Sequence, residues 1–183
     1  LMAEIEAGNP QPDVLLIADT VTLEGMAQDG HLKAYQSPEA AAYDPALYSA
    51  EGFYHSTKLI TTGIVYNTGA EVQPTSWSDL ADPSLKGQVA MPSPLYSGAA
   101  LIHLATLTGD KALGWDYYTD LASNEARAQG GNGGTFKAVA SGEKPYGVVV
   151  DFLAIRNKAD GSPVEFVFPQ EGVSYVTEPV AIL

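Results

Sequence analysis

The sequence predicts an α/β protein, and three observations carry that prediction. Between residues 88 and 168, short apolar runs of strand length alternate with segments of helical period. Two runs, 12–18 and 146–150, are almost continuously apolar, as strands buried on both faces of a parallel sheet are. Polar residues suited to start a helix follow the runs: Asp19-Thr20 after the first, Ser97 after strand 88–91 and its loop, and Asp151 after 146–150. In an open α/β sheet, residues just past the carboxyl ends of strands line the ligand crevice.

Taken in order, residues 1–8 read as the closing turns of a helix ending at Gly8, and 12–18 as the first strand. Asp19-Thr20 cap the helix 21–28, whose Val21, Leu23 and Met26 supply its apolar positions. As plain caps they need no ligand; their place at a strand end also makes them site candidates. Pro38, Pro45 and Gly52 break up the next segment, where the aromatic residues read as packing. Residues 55–67 are β-rich, with Thr61-Thr62-Gly63 as the small residues where an extended chain crosses from one sheet to another. A capped helical turn at 75–80 and a turn at 82–84 lead into strand 88–91.

The loop 92–94 and Ser97-Gly98 then open an apolar helix. A helix start leaves about four backbone N–H groups unpaired and carries roughly half a positive charge. Ser97 can cap it, and Gly98 has no side chain to hinder a ligand approaching the backbone. The junction is therefore either an anion cradle or an ordinary capped start. A second helix, 111–122, sets Leu113, Tyr117, Tyr118 and Leu121 on one core stripe. A short strand falls within 124–129, and the glycine-rich 130–135 turns into a third helix that buries Phe136, Val139 and Ala140. Strand 146–150 ends at Asp151. Helix 152–158, strand 164–168 and a turn at 169–172 follow, and the chain leaves through 173–175 and 179–183. This alternation points Ser97-Gly98, 132–135 and Asp151 toward one rim.

Composition removes several functions. With 22 acidic against 9 basic residues, a net charge of −13, the chain lacks the clustered Lys and Arg that nucleic acid requires. It has no cysteine, which excludes disulfides, cysteine-linked partners and thiolate metal sites. His31, His55 and His103 are isolated and lack zinc-motif spacing. The glycine-rich loop lacks the lysine of a phosphate-binding P-loop and the spacing of a dinucleotide fingerprint. Ser97 sits in Leu-Tyr-Ser-Gly-Ala, which is not a nucleophile elbow. Tyr117-Tyr118 could suggest a ferric phenolate pair, but the helical stripe explains both. No cofactor is expected.

Pro74-x-Ser76-Trp77-x-x-Leu80, Asp82-Pro83, Lys86-Gly87, Met91-Pro92-x-Pro94, Ser97-Gly98-Ala99, Ser141-Gly142-Glu143 and Phe168-Pro169-x-Glu171-Gly172 occur in this order. As a set they resemble the periplasmic substrate-binding proteins of ABC transporters, in the ferric-iron-binding branch that also includes binders of phosphonates and sugar phosphates. The resemblance implies a type 2 periplasmic-binding-protein fold. Its two α/β lobes are joined by crossing strands and close like a Venus flytrap over a solute held between them. It implies that residues 63–169 form a complete second lobe, and that 1–62 with 170–183 form part of the first, hinged near 61–63 and 169–172. It further implies that Ser97, Gly98 and Ala99 offer hydroxyl and main-chain donors to an anion, with Asn132 nearby and Asp19-Thr20 facing the site from the other lobe.

The iron binders carry a tyrosine pair just after the strand matching 146–150. Here that place reads Val150-Asp151-Phe152-Leu153, so a phosphorylated or phosphonate solute is expected in place of ferric iron. Asp151 is then expected to accept hydrogen bonds from another part of the solute. The implied role is non-enzymatic: capture of a small anionic solute and delivery to a membrane permease, in the periplasm. The family's length implies further portions before Leu1, including a signal peptide, and after Leu183. The rival readings are ferric-iron transport, a ligand-sensing domain of a regulator, and, more distantly, a hydrolase using Asp151 or His55.

Overall fold

The computed structural model describes residues 1–183. The chain begins with α1 (Met2–Glu6), β1 (Val14–Leu16), α2 (Thr20–Gln28) and β2 (Tyr54–Ser56). Next come β3 (Ile60–Asn67), β4 (Val89–Met91), α3 (Gly98–Gly109), α4 (Gly114–Ser123), β5 (Arg127–Ala128) and α5 (Asn132–Ala140). It closes with β6 (Tyr146–Val150), α6 (Asp151–Ala159), β7 (Val164–Val167), β8 (Tyr175–Val176) and β9 (Pro179–Ile182). The chain divides into two units, Leu1–Leu59 with Val176–Leu183, and Ile60–Tyr175, so Gly63 and Pro169 lie inside the second. No helix is long and apolar enough to cross a membrane.

The first unit is built on a three-stranded sheet, β1-β9-β2, antiparallel throughout. Leu23 and Met26 of α2 pack with Leu32 and Ala181, with Leu15 and Ile17 against them. This corrects the reading of 12–18 as a strand buried on both faces of a parallel sheet. β1 is an edge strand whose sole partner is the antiparallel β9; alternate residues Leu15 and Ile17 meet the core, while Val14 and Leu16 remain exposed. A continuous apolar run does not by itself distinguish one covered face from two. At α1, Gly8 (φ +70°) ends the helix as expected: its N–H donates to the Ile5 carbonyl and that of Asn9 to Glu4, the paired bonds that close a helix on a left-handed residue.

The second unit holds the larger sheet, ordered β5-β4-β6-β3-β7. It is mixed: β4 runs parallel to β5 and β6, whereas β3 is antiparallel to both β6 and β7. Period-two alternation sends side chains to opposite faces. On β3, Ile64 and Tyr66 join Trp77, Tyr117 and Leu121 in one core, while Val65 joins Phe136, Val139 and Ala154 in the other. On β6, Val148 goes to the first and Val149 to the second. Both faces are thus covered by helices, and all of β6 is buried.

Three boundaries differ from the sequence reading. Residues 55–67 form two strands, because β2 ends at Ser56 in the smaller sheet and β3 starts at Ile60 in the larger. The helix expected from 111 starts at Gly114; before it, the Asp110 carboxylate accepts from the N–H groups of Ala112 and Leu113 and holds a separate turn. Gly133 and Gly134 belong to the first turn of α5 and do not precede it. That placement depends on Gly147 of β6. A Cβ there would lie 2.9 Å from a Val139 methyl, 3.0 Å from that of Thr135 and 3.2 Å from the Ala90 carbonyl oxygen, so only glycine lets α5 seat this close.

Candidate functional site

The site candidates of the second unit are built from the start of α3 outward. Ser97 has extended backbone, and its Oγ accepts from the Ala100 N–H at 3.3 Å. The first helical carbonyl bond runs from the Leu101 N–H to Ser97. The N–H groups of Gly98 and Ala99 have no acceptor within the chain, as the geometry of a helix start dictates.

Farther along the chain, α5 starts from Gly131, which offers no side chain to cap it. Gly134 and Thr135 donate to the Gly131 carbonyl, and the Asn132 and Gly133 amides have no protein acceptor. The Asn132 side chain joins the two starts. Its Nδ2 donates to Ser97 Oγ at 3.1 Å, and its Oδ1 accepts from the Val150 N–H at 3.1 Å, tying both to the end of β6. Two helix starts with four unpaired amides are thereby brought to one place. None of the residues that assemble there is cationic, so any anion would be met by amide dipoles and hydroxyl groups.

Asp151 is the first residue of α6, not its cap; Val150 occupies that position without a side-chain bond. Its Oδ1 accepts from the Phe152 N–H at 2.7 Å and its Oδ2 from Thr61 Oγ1 at 2.7 Å. Thr61 is the residue sequence reasoning missed here, having been read only as a small residue at a crossing. Because Thr62 pairs with Val150 across the antiparallel β3–β6 ladder, Thr61 falls beside Asp151. A carboxylate has about four lone-pair directions, so both oxygens retain capacity for a further donor.

Asp19 and Thr20 belong to the first unit. Asp19 is the N-cap of α2: its Oδ1 accepts from Val21 N–H at 2.9 Å and Thr22 N–H at 3.2 Å, and its Oδ2 accepts from the Thr22 hydroxyl. Thr20 is the first helical residue, so Asp19 alone caps α2 and the helix starts one residue earlier than the 21–28 expected from the sequence.

Behind the α3 start, His103 is a packed residue, 2% exposed. Its ring lies 4.5 Å from that of Trp77, and its Nδ1 is 3.3 Å from Ser174 Oγ. Burial pushes its pKa down to about 4, so the ring is neutral near pH 7. Trp77 is fixed in turn by Nε1 donation to the Gly172 carbonyl and by its own N–H bonded to Glu171. Tyr117 and Tyr118 form an edge-to-face pair on the α4 stripe, and burial raises both phenol pKa values, which keeps them protonated. They are core residues, as the stripe predicts.

A two-unit α/β chain with amide-lined helix starts at strand ends has the architecture of a solute-binding protein. The chain belongs to the family of bacterial extracellular solute-binding proteins, whose model matches residues 9–181. Its fold is that of the type 2 periplasmic binding proteins, in the iron-binding-like branch. It is 29% identical to the periplasmic binding protein AfuA from Actinobacillus pleuropneumoniae, solved with fructose-6-phosphate bound, with a TM-score of 0.83 over 99% of this chain and 61% of that one. Iron-bound HitA from Pseudomonas aeruginosa shares the fold at 21% identity, with a TM-score of 0.77 over 100% of this chain and 62% of that one. An uncharacterized protein of Haemophilus influenzae is 30% identical over 98% of the chain. The chain spans 56% of that relative's length.

Proposed function

We propose that this chain captures a small organic anion, a sugar phosphate or phosphonate, for delivery to an ABC permease, in the periplasm and without catalysis. The observation that carries the reading is the convergence of the α3 and α5 starts on Asn132, with the amides of Gly98, Ala99, Asn132 and Gly133 unpaired. In this reading Ser97 supplies a hydroxyl to the anion. Asp151, held by Thr61, accepts from a hydroxyl or ammonium elsewhere on the solute, since a carboxylate beside the anion itself would repel it. The AfuA relative, bound to fructose-6-phosphate, supports an organic phosphate as the ligand class.

A micromolar dissociation constant needs about −8 kcal/mol. One helix terminus contributes roughly 0.3–2 kcal/mol, so the joined starts, the side-chain bonds and excluded water must act together. Calorimetric titration of the full-length protein with fructose 6-phosphate tests the reading directly. Micromolar binding that weakens at least tenfold in Ser97→Ala is the expected result. Absence of binding to any phosphorylated or phosphonate solute would overturn it. Ferric citrate serves as the comparison, because Phe152 and Leu153 stand where phenolates would be needed. The mixture should stay colourless, and a strong visible phenolate-to-iron band would favour ferric transport instead.

A further inference from the structure

Immediately before the capping Ser97, the turn 93–96 presents two large side chains to solvent: Leu95 is 99% exposed and Tyr96 78%. The turn is not loose. Ser93 accepts at its carbonyl from the N–H groups of both Tyr96 and Ser97, and at its hydroxyl from that of Leu95. The Tyr96 ring has a definite place. A Cβ built on Gly131 would lie 3.0 Å from Tyr96 Cε1 and 3.3 Å from its Cδ1, so one edge of the ring rests against the residue that starts α5. The ring therefore leaves the α3 start and reaches the α5 start, flanking the same four amides that Asn132 draws together. Gly131 makes this possible by having no side chain where the ring edge lies.

We propose that Tyr96 is a specificity-determining residue: its ring packs against the apolar C–H face of a sugar-sized body whose anionic group is held by the amides beside it. This inference rests on the reading of the site as one for an organic anion and deepens it. An aromatic face carries negative quadrupole charge, so it gives an inorganic anion nothing and repels it weakly. Against a C–H surface the same face offers dispersion and removal of apolar area from water. Tyr96 thus separates solutes with a carbon body from bare phosphate or sulfate, which the amides alone would hold comparably well.

The test compares the hexose phosphate named above with inorganic phosphate on full-length wild type, Tyr96→Phe and Tyr96→Ala, by calorimetric titration and competition. Thermal melting without ligand shows that each variant is folded. Tyr96→Ala is expected to narrow the preference for hexose phosphate over inorganic phosphate by about tenfold, while Tyr96→Phe keeps it within about twofold because the ring face is retained. An unchanged preference in Tyr96→Ala would overturn the inference and leave the functional reading standing. So would an equal loss for both ligands, since the ring would then only shape the cradle. Failure of wild type to bind any phosphorylated solute would remove both.

Discussion

The starts of α2 and α3 stand at equivalent points of the sequence pattern, just beyond a strand end, yet they are finished in opposite ways. At α2 the Asp19 carboxylate takes two backbone N–H groups and a threonine hydroxyl, so the positive end of the helix is met by a charge of its own. At α3 the neutral Ser97 hydroxyl takes only the Ala100 N–H, and it is shared with Asn132. The α5 start, which Asn132 joins to it, has no side-chain cap at all. A carboxylate cap seals a helix terminus against anions, whereas a hydroxyl or glycine cap leaves amides and dipole open to one.

The largest expected effect separates the start of α3, which carries no titratable side chain, from its middle, which does. His103 titrates near 4 in the folded chain against an ordinary 6.5, so between these values the unfolded chain binds more protons. Its contribution to stability is complete above pH 6.5 and is lost as pH falls toward 4, by on the order of 3 kcal/mol. Denaturant unfolding at several pH values should show His103→Gln flattening this slope. If the slope is identical in variant and wild type, another group drives the acid sensitivity.

Next comes the cap itself. Ser97→Ala should cost about 0.5–2 kcal/mol of stability and, separately, about 1.5–3 kcal/mol of affinity for the anion. Gly98→Val should lose more affinity than Ser97→Ala, because the side chain stands between the solute and the amides. Melting without ligand, set beside calorimetry with it, resolves the two quantities. Wild-type binding in both variants would mean that α3 begins no more openly than α2.

Asp151→Asn is expected to cost about 1–3 kcal/mol of affinity through loss of a charge-assisted bond. The Thr61 contact can still be made to an amide oxygen, so stability should change little. Tight binding of an anion that has no donor group, in either protein, would dismiss Asp151 as a contact. The smallest effect belongs to Asp19→Asn. Asparagine caps about as well as aspartate, so the melting temperature should stay within the shift produced by about 0.5 kcal/mol. A substantial loss would show that the negative charge at α2, and not its hydrogen bonds, holds that helix start.

Much of this was legible in the chain. Helix starts at Asp19 and Ser97, the stripe Leu113–Tyr117–Leu121, the continuous strand ending at Val150 and the helix end at Gly8 follow from capping, periodicity and glycine's left-handed backbone. These are short-range properties, fixed by residues within a turn or two of one another. The tertiary structure alone decided that β1 is a half-exposed edge strand, that Thr61 falls beside Asp151, that Tyr96 rests on Gly131, and that Asn132 joins Ser97 to Val150. Each of these depends on strand register or on which face a partner covers. A one-residue change of register turns every side chain to the opposite face, and nothing in a strand's own sequence records which partner will cover it.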